Sequence, residues 1–237
     1  MNAATPLADA VVIVAGGTGA LGRAVSRGFL AQGSIVIATY RSAQELEEVR
    51  TAFGAEAIRF QGLQLDVTDE AAVGAAVEQL LARHARIDVL VNTVGGYAGG
   101  APAWLTERAV LERLIGLNLL ALHALLRAVV PVMRRQGHGN IVNVAAKAAL
   151  THPANSAAYA ASKAAALAMM ACLATELAGS GLRANSVLPA TIDTPANRRA
   201  MPQADVSKWV RPEAVADVIA YLCGPQSLAV HGAQIAV

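Results

Sequence analysis

The stretch that decides the fold runs from Val11 to Gly22 and reads VVIVAGGTGALG. Its first five residues, Val11–Ala15, form a continuous apolar run, which is typical of a strand that is buried on both faces of a parallel sheet. The remainder is a glycine-rich turn that leads directly into a stretch with the composition of a helix. A strand, a tight turn and a helix in this order predict the first half of a βαβ unit.

The glycine turn fits two spacing patterns that place a pyrophosphate at the start of a helix. Gly17, Gly19 and Gly22 match G-x-G-x-x-G, and Gly16, Gly19 and Gly22 match G-x-x-G-x-x-G. Glycines let backbone N–H groups approach phosphate oxygens, and the helix dipole favours negative charge there. The turn therefore predicts a dinucleotide site. Its predicted contacts are Gly16, Thr18, Gly19, Ala20, Leu21 and Gly22.

Short apolar runs alternate with alanine-rich helical stretches along the whole chain. The predicted strands are Ala10–Ala15, Ser34–Tyr40, Ala57–Leu65, Ile87–Thr93, Asn140–Val144, Arg183–Leu188 and Gln234–Val237. The predicted helices are Leu21–Gln32, Ala43–Phe53, Glu70–His84, Ala103–Gln136, Ser156–Gly179 and Pro212–Cys223. Strands separated by helices of this length indicate right-handed crossovers. The sequence therefore predicts an α/β fold with a doubly wound parallel sheet and helices on both faces, as a single domain over residues 1–237.

The composition excludes several classes of protein. Of the 237 residues, 55% are hydrophobic and only 15% are charged, which is unlike a disordered chain. The net charge is +2 with both signs interspersed, whereas a nucleic-acid-binding protein more often has a basic stripe. The apolar runs are shorter than the roughly 20 residues of a membrane-spanning helix, and Leu117–Val132 is interrupted by polar residues and Pro131. We therefore expect neither a nucleic-acid partner nor a membrane partner.

Two cysteines and the N-terminal segment bear on the compartment. Cys172 and Cys223 lie in apolar helical surroundings, which predicts buried free thiols in a reducing compartment. The segment Met1–Ala10 lacks the basic start and the apolar stretch of a signal peptide. These features predict a cytoplasmic protein, and no metal site is predicted.

The end of the second predicted strand bears on which dinucleotide is bound. The sequence there reads Ala38-Thr39-Tyr40-Arg41 and offers no acidic residue to a ribose hydroxyl. Arg41 and Ser42 instead offer a guanidinium and a hydroxyl, which suit a 2′-phosphate. The alternative is that Arg41 is a solvated residue that starts the next helix. The sequence therefore favours NADP(H) as the cofactor, with NAD(H) as the alternative.

A tyrosine and a lysine form the candidate catalytic pair. Tyr159 and Lys163 lie near the start of a predicted helix, where their spacing places them on one face. A phenol has an ordinary pKa of about 10, and a neighbouring ammonium together with an oxidised nicotinamide favours its phenolate. The pair can therefore give a proton to a substrate atom as a hydride arrives. The alternative is a half-buried tyrosine and a surface lysine that never meet.

The chain resembles the short-chain dehydrogenase/reductase family, and the likeness extends over essentially its whole length. The motifs follow the family's order: the glycine turn, Leu65-Asp66-Val67, Val91-Asn92-Thr93-Val94-Gly95, Asn118, Tyr159-x-x-x-Lys163 and Pro189-Ala190-Thr191-Ile192-Asp193-Thr194. The resemblance implies a Rossmann-type sheet of about seven strands in the order 3-2-1-4-5-6-7. It also implies an oxidoreductase that acts on a CH–OH or a CH–NH group.

The resemblance implies roles for residues outside the glycine turn. The catalytic set would be Tyr159, Lys163 and Asn118, with Asn118 supporting a water-linked proton path to Lys163. Asn92 would hold the central strand. The further cofactor contacts would be Arg41, Ser42, Asp66 and Val67 at the adenosine, Asn92, Val94 and Gly95 after the fourth strand, Tyr159 and Lys163, and Pro189, Ile192 and Thr194 at the nicotinamide carboxamide.

Three alanines stand where the family has another residue. The family's serine lies thirteen residues before the tyrosine, and this position is Ala146 here, while Ala20 and Ala190 replace glycines. A missing donor beside a developing alkoxide typically costs about 10²–10³ in rate. The dihydropteridine reductase branch of the family also lacks the serine, and this chain is similar to it in stretches that include Gly95–Gly100 and Ala145–Leu150. That branch differs at the end of the second strand, where its animal members use an acid suited to NADH.

Three hypotheses for the activity follow. The first is an NADP(H)-dependent reductase that passes a hydride to a pterin-like ring, with Tyr159, tuned by Lys163, as the proton donor. The second is a carbonyl reductase of ketones and alcohols, in which Thr151, Asn155, Ser156 or a water replaces the missing serine. The third is a catalytically silent NADP-binding regulatory or structural protein. The candidate residues on the side of a small-molecule substrate are Tyr97, Lys147, Thr191 and Trp209.

The two longest predicted helices bear on assembly. Ala103–Gln136 and Ser156–Gly179 contain more alanine and leucine than packing against one sheet face requires. Pairing of such helices across a two-fold axis would bury this surface. We therefore expect a homodimer or a homotetramer.

Overall fold

Seven parallel strands form one sheet in the computed structural model, which describes residues 7–237. The strands are β1 (Val11–Ala15), β2 (Ile35–Tyr40), β3 (Phe60–Gln64), β4 (Val89–Asn92), β5 (Gly139–Val144), β6 (Leu182–Leu188) and β7 (Gln234–Ala236). Their order across the sheet is β3-β2-β1-β4-β5-β6-β7, which confirms the predicted order. Residues 1–6, which belong to the Met1–Ala10 segment inspected for a signal peptide, lie outside the described residues.

Helices cover both faces of the sheet, as predicted. Within the described chain they are α1 (Ala20–Leu30), α2 (Ala43–Phe53), α3 (Glu70–His84), α4 (Arg108–Ile115), α5 (Ala121–Gln136), α6 (Ala148–Thr151), α7 (Ala157–Glu176), α8 (Pro195–Ala200) and α9 (Pro212–Cys223). Successive residues of a strand point to opposite faces. Val12 and Val14 of β1 therefore join a core with α1, α2 and α9, whereas Val11 and Ile13 join a core with α3, α5 and α7.

In two predicted elements another structure occupies part of the predicted range, whereas the bounds of the other elements agree within about three residues. The predicted strand Ala57–Leu65 is shorter, because Gly54–Arg59 forms a 3₁₀ helix that ends where β3 begins. The predicted helix Ala103–Gln136 is wrong at its start. Ala103–Leu105 is a separate 3₁₀ turn, and the extended backbone of the two residues after it delays the continuous helix until Arg108. The short helices α6 and α8 have no predicted counterpart, because they are too short to show a period.

Two helical segments meet the length and composition expected of a membrane span. They are Arg108–Gln136 and Ala157–Glu176, so the sequence argument that the apolar runs are too short is wrong on this criterion. Both segments also supply core residues on one face of the sheet, including Leu122, Met133 and Met170. The core helices of globular proteins have the same composition, so this property by itself does not indicate a membrane.

The two cysteines differ in exposure. Cys223 is buried and free, as predicted. Cys172 is free but exposed, so the prediction that it is buried is wrong. Cys172 lies on the part of α7 that faces away from the core, which the uniformly apolar composition of this helix conceals.

The parallel strands bring their carboxyl ends to one edge of the sheet, called here the carboxyl edge. The glycine turn follows β1 at this edge, and Arg41 follows β2. Gly95, Ala146 and Pro189 lie just beyond β4, β5 and β6. Ligands of doubly wound sheets bind at this edge, where the strand order reverses between β1 and β4.

Candidate active site

The glycine turn closes tightly around the start of α1. Gly16 has a φ of +77°, a left-handed conformation that favours glycine. Its N–H donates a hydrogen bond to the Thr39 hydroxyl over 2.8 Å, and the Gly19 N–H donates to the Gly16 carbonyl over 3.0 Å. A methyl group at Gly22 would collide with that carbonyl. Gly22 therefore allows the close packing of turn and helix that the sequence pattern predicts.

The start of α1 offers donors to an anion. No side chain within residues 7–237 caps this helix, so its first N–H groups remain available to a ligand. Gly19 and Ala20 are exposed there, and Ala20 is the first helical residue, so its methyl group does not obstruct the turn. The cradle therefore fits the phosphates of a dinucleotide, with Ala20 in place of the family's glycine.

An acidic residue reaches the glycine turn from α2. The buried Thr18 hydroxyl donates to the Glu45 carboxylate over 3.1 Å. Glu45 was not predicted as a site residue, because the acid expected near the ribose lies at the end of β2, whereas Glu45 extends back from the first turn of α2. A capping pattern was the available signal, since the Ser42 hydroxyl accepts from the Glu45 N–H over 3.4 Å.

The predicted adenosine contacts lie after β2 and β3. Asp66 accepts hydrogen bonds from the Thr68 hydroxyl over 2.7 Å and from its N–H over 2.9 Å. These bonds, and then the charge of the exposed Arg41, hold the pKa of the Asp66 carboxyl below its ordinary value. Arg41 and Asp66 are thus neighbours at this edge. The Val67 side chain is buried in the core, so an adenine contact would fall to its backbone.

Asn92 joins β4 to β5. Its amide nitrogen donates to the Asn143 side chain over 2.9 Å, and its amide oxygen accepts from the Val94 N–H over 3.1 Å. The second bond shapes the turn that leads to Gly95. A methyl group at Gly95 would lie 2.8 Å from Asn118 Oδ1 and 2.9 Å from Lys163 Nζ. Gly95 therefore marks the point where two predicted catalytic residues converge.

Asn118 lies in a π-helical turn, Gly116–Leu120, between α4 and α5. Such turns are frequent at functional sites. Its amide oxygen accepts from the Gly96 N–H over 2.9 Å, and its amide nitrogen donates to the Gly96 carbonyl over 3.0 Å and to the Ser162 hydroxyl over 2.8 Å. The side chain therefore fixes the loop after β4 against α7. The water-linked proton path stays a prediction.

Tyr159 and Lys163 lie one helical turn apart on α7 at the carboxyl edge, and Lys163 is buried, so the alternative of a surface lysine is wrong. Lys163 is only 6% exposed, and its Nζ donates to the carbonyl of Val144, the last residue of β5, over 3.0 Å. Tyr159 is half-buried, and its hydroxyl has no hydrogen-bond partner among the described residues. An uncommitted phenol beside a tethered amine is the arrangement that proton donation to a ligand requires.

Burial shifts both pKa values. It raises the pKa of the Tyr159 phenol to about 12, with a smaller contribution from Tyr97, and it lowers the pKa of the Lys163 ammonium to about 8. The protein alone therefore keeps Tyr159 protonated at neutral pH, because burial raises the pKa of the phenol far above 7. The predicted lowering of the phenol's pKa concerns the complex with an oxidised nicotinamide, and it stays a prediction for that complex.

The position of the family's serine is a buried alanine. Ala146 is 7% exposed and follows β5. The Thr151 hydroxyl donates to the Lys147 carbonyl over 3.2 Å within its own turn, and the Asn155 carbonyl accepts from the Gly100 N–H over 2.8 Å. Ser156 lies buried at the start of α7 without capping it. Within the described chain, none of the three predicted substitutes forms a hydrogen bond to Tyr159.

The predicted nicotinamide segment is held by local bonds. Ile192 forms a β-bridge with Val210, and its carbonyl accepts from the Asn197 amide over 2.8 Å. The Thr194 hydroxyl caps α8 by accepting from the Asn197 N–H over 3.1 Å. Pro189 is buried at the end of β6. These bonds place the segment at the carboxyl edge beside β6.

The four predicted substrate-side residues lie in loops of the carboxyl edge. Tyr97 is 65% exposed, and its ring meets the Tyr159 ring edge-on with the two centroids 4.9 Å apart. Lys147 is exposed, and Thr191 and Trp209 are half-buried beside the Ile192–Val210 bridge. Trp104, which is 84% exposed in the loop after β4, was missed because that region was predicted to be helical.

Comparisons with known proteins support the same assignment. A family model described as short chain dehydrogenase matches residues 10–205. The chain is 34% identical, over 95% of each sequence, to 2-(R)-hydroxypropyl-CoM dehydrogenase of Xanthobacter autotrophicus. It is 26% identical to the solved 3-ketoacyl-(acyl-carrier-protein) reductase of Brucella melitensis complexed with NADH, with a TM-score of 0.88 over 98% of this chain and 97% of that one. The structure of ElxO with NADP bound shares the fold, with a TM-score of 0.91, 23% identity and 97% of each chain covered. The chain is therefore a member of the short-chain dehydrogenase family of oxidoreductases.

Proposed function

We propose that this oxidoreductase interconverts a ketone and a secondary alcohol with NADP(H), and that Tyr159 is the proton donor. The observation behind this proposal is the uncommitted Tyr159 hydroxyl at the carboxyl edge, beside the buried Lys163. Both lie in the first two turns of α7, at the same edge of the sheet as the glycine turn. The dehydrogenase and reductase relatives support the reaction class. The ketone substrate and the preference for NADP(H) are further parts of our proposal.

Different residues of the chain would bind the cofactor, transfer the proton and position the loops. The glycine turn and the start of α1 would hold the pyrophosphate, and the segment after β6 would hold the nicotinamide. When bound, the nicotinamide supplies or accepts the hydride. Tyr159 gives its proton to the carbonyl oxygen as that oxygen gains negative charge, and Lys163 supplies positive charge close to the same phenol. Asn118 keeps the loop after β4 in place.

The carboxyl edge favours an apolar substrate. Large apolar side chains are exposed in the segments that follow β4, β5 and β6. They include Tyr97 at 65%, Trp104 at 84%, Leu150 at 55% and Met201 at 40% exposure. Exposed apolar side chains of this size beside a candidate catalytic residue are typical of ligand-binding surfaces. We propose a ketone with an aliphatic or aromatic flank.

A pterin-like ring is the second candidate substrate. The observation that favours it is Ala146, because a ring that holds its own nitrogens has less need of the missing hydroxyl. Steady-state assays with NADPH, comparing apolar ketones with quinonoid dihydropterin, test the two. Turnover of ketones supports the main proposal, and turnover of the pterin alone supports the second. Tight NADPH binding without any hydride transfer would instead indicate the silent cofactor-binding protein.

Arg41 is expected to set the cofactor preference. Its guanidinium is exposed beyond β2, next to the adenosine region marked by Asp66, where it can pair with a 2′-phosphate. Replacing Arg41 with alanine should weaken NADPH binding about tenfold and leave NADH binding within about twofold, since an exposed charge-assisted bond contributes about 1.5 kcal/mol. Fluorescence titration with both cofactors measures this.

The matched control for Arg41 is Arg50, an exposed arginine of α2 that pairs with Glu47 over 2.8 Å. The Arg50→Ala variant should bind both cofactors like the parent protein. If Arg41→Ala weakens the binding of NADPH and NADH equally, Arg41 does not contact the 2′-phosphate. If the variant binds NADPH like the parent protein, another residue sets the cofactor preference.

We also propose that two copies pair through α5 and α7. These helices border an exposed groove of about 450 Å³, which is lined largely by apolar residues: Leu126, Val130, Pro131, Met169 and Leu173, with His123, Arg127, Cys172 and Glu176. The expected homodimer or homotetramer would cover this surface. Size-exclusion chromatography with light scattering measures the mass in solution, and a clean monomer would contradict the proposal.

The expected site of action is the cytoplasm, where free cysteines stay reduced.

A further inference from the structure

The position of the family's serine carries no hydroxyl, although carbonyl reduction benefits from a second donor beside Tyr159. Ala146 supplies no donor, and the Thr151 hydroxyl is bonded within α6. The Lys163 amine is bonded to the Val144 carbonyl, and the Asn118 amide is bonded to Gly96 and Ser162. The Tyr159 phenol is the group assigned here to donate to a ligand and lose its proton. A ketone oxygen that accepts one bond from Tyr159 has room for a second donor.

Tyr97 is placed to be that donor. Its ring meets the Tyr159 ring edge-on, with the centroids 4.9 Å apart and the planes at 77°. Its hydroxyl lies against Gly99, where a methyl group would collide with it. That same methyl group would lie 3.1 Å from the Asn155 carbonyl, so the Tyr97 hydroxyl lies close to the loop that leads into α7. Within residues 7–237, the hydroxyl forms no hydrogen bond.

The loop that holds Tyr97 is itself fixed. Gly100 donates to the Asn155 carbonyl over 2.8 Å, and Asn118 binds both backbone groups of Gly96. Tyr97 lies between these two attachments, so its backbone is held while its side chain stays 65% exposed. A fixed backbone and an exposed, uncommitted hydroxyl are the properties of a group that meets a ligand.

We infer that the Tyr97 hydroxyl takes the place of the family's serine and donates the second hydrogen bond to the substrate's carbonyl oxygen. Tyr97 keeps its proton throughout, while Tyr159 transfers its own to the same oxygen. This inference rests on the proposed ketone reduction and assigns its second donor. The inference also gives Gly99 a role in positioning the donor, since a side chain at this residue would displace the Tyr97 hydroxyl.

A double-mutant cycle tests the inference. Tyr97→Phe removes only the hydroxyl and should lower kcat/KM for an accepted ketone at least tenfold, because one such donor is worth about 10²–10³ in rate. Ala146→Ser should change the parent enzyme less than about threefold but raise kcat/KM of the Tyr97→Phe variant about tenfold or more, because it restores a second donor. Tyr221→Phe on α9, where Tyr221 is 48% exposed, is the matched control and should leave kcat/KM unchanged.

The outcomes separate the inference from the proposed function. A parent-like Tyr97→Phe variant, or a loss that Ala146→Ser does not restore, would overturn the role of Tyr97. A loss in Ser156→Ala with none in Tyr97→Phe would assign the second donor to Ser156. A parent enzyme that reduces no ketone, or a Tyr159→Phe variant that stays active, would overturn the proposed function and this inference with it.

Discussion

Replacing Tyr159 with phenylalanine is expected to lower kcat for ketone reduction about 10³-fold while NADPH binding stays within about twofold. The reason is that the phenylalanine keeps the ring and its contact with Tyr97 but removes the hydroxyl that transfers the proton. General acid catalysis is worth about 10²–10⁴ in rate. Single-turnover kinetics and fluorescence titration of NADPH measure the two quantities separately. An active Tyr159→Phe variant would contradict the assignment of Tyr159 as the donor.

The pH dependence of the parent enzyme gives the same residue a second test. Ketone reduction needs the protonated phenol, and the pKa of Tyr159 is raised to about 12, so loss of this proton does not limit reduction at neutral pH. Alcohol oxidation needs the phenolate, so its rate should rise with pH from neutral toward the pKa of about 12, without levelling off near pH 9. The Tyr159→Phe variant should lose this rise, whereas Tyr221→Phe should keep it.

Much of the fold could be predicted because its signals are local. The run Val11–Ala15 and the glycine turn after it specify a buried strand and a tight βα connection without reference to distant residues. The bounds of α2, α3 and α9 also follow from local composition. The start of α4 could not be predicted, because Ala103–Leu105 has helical composition but forms a separate 3₁₀ turn before extended backbone at Thr106.

The site could be predicted only in part, because several of its contacts join distant segments. The spacing of Tyr159 and Lys163 indicated their shared face, but the bond from Lys163 to Val144 depends on how α7 packs on β5. The π-turn around Asn118 has no periodic signal. The approach of Glu45 to Thr18 and of Tyr97 to Tyr159 likewise needs the folded chain.

Lys163 is expected to reduce stability while it supports catalysis. Its ammonium is buried, has no carboxylate partner within the described residues, and donates to the Val144 carbonyl over 3.0 Å. Burial lowers its pKa from 10.5 to about 8. Between these two values the unfolded chain binds more protons than the folded chain, so this group makes the free energy of unfolding increase with pH. Below the lower value the penalty of burial is present in full.

Replacing Lys163 with methionine should therefore lower activity and raise stability. Methionine fills a similar volume without the charge, but it leaves the Val144 carbonyl without its donor, which costs about 1–3 kcal/mol. The net gain in the free energy of unfolding at pH 7 should be on the order of 1 kcal/mol, which corresponds to a rise in Tm of about 2–4 °C for a domain of this size. The rate of ketone reduction should fall about 10²-fold or more, because the phenol loses its charged neighbour.

Calorimetry at several pH values and single-turnover kinetics measure the two effects. The gain in Tm should shrink as the pH rises above about 8, because the parent enzyme then loses the buried charge that the variant never had. Lys208→Met is the matched control, since the Lys208 side chain is 81% exposed and pairs with Asp205 over 3.6 Å, and it should change neither quantity. A Lys163→Met variant that is less stable than the parent at pH 7 would show that other interactions in the fold compensate the buried ammonium. A variant as active as the parent would show that the ammonium is unnecessary for proton transfer.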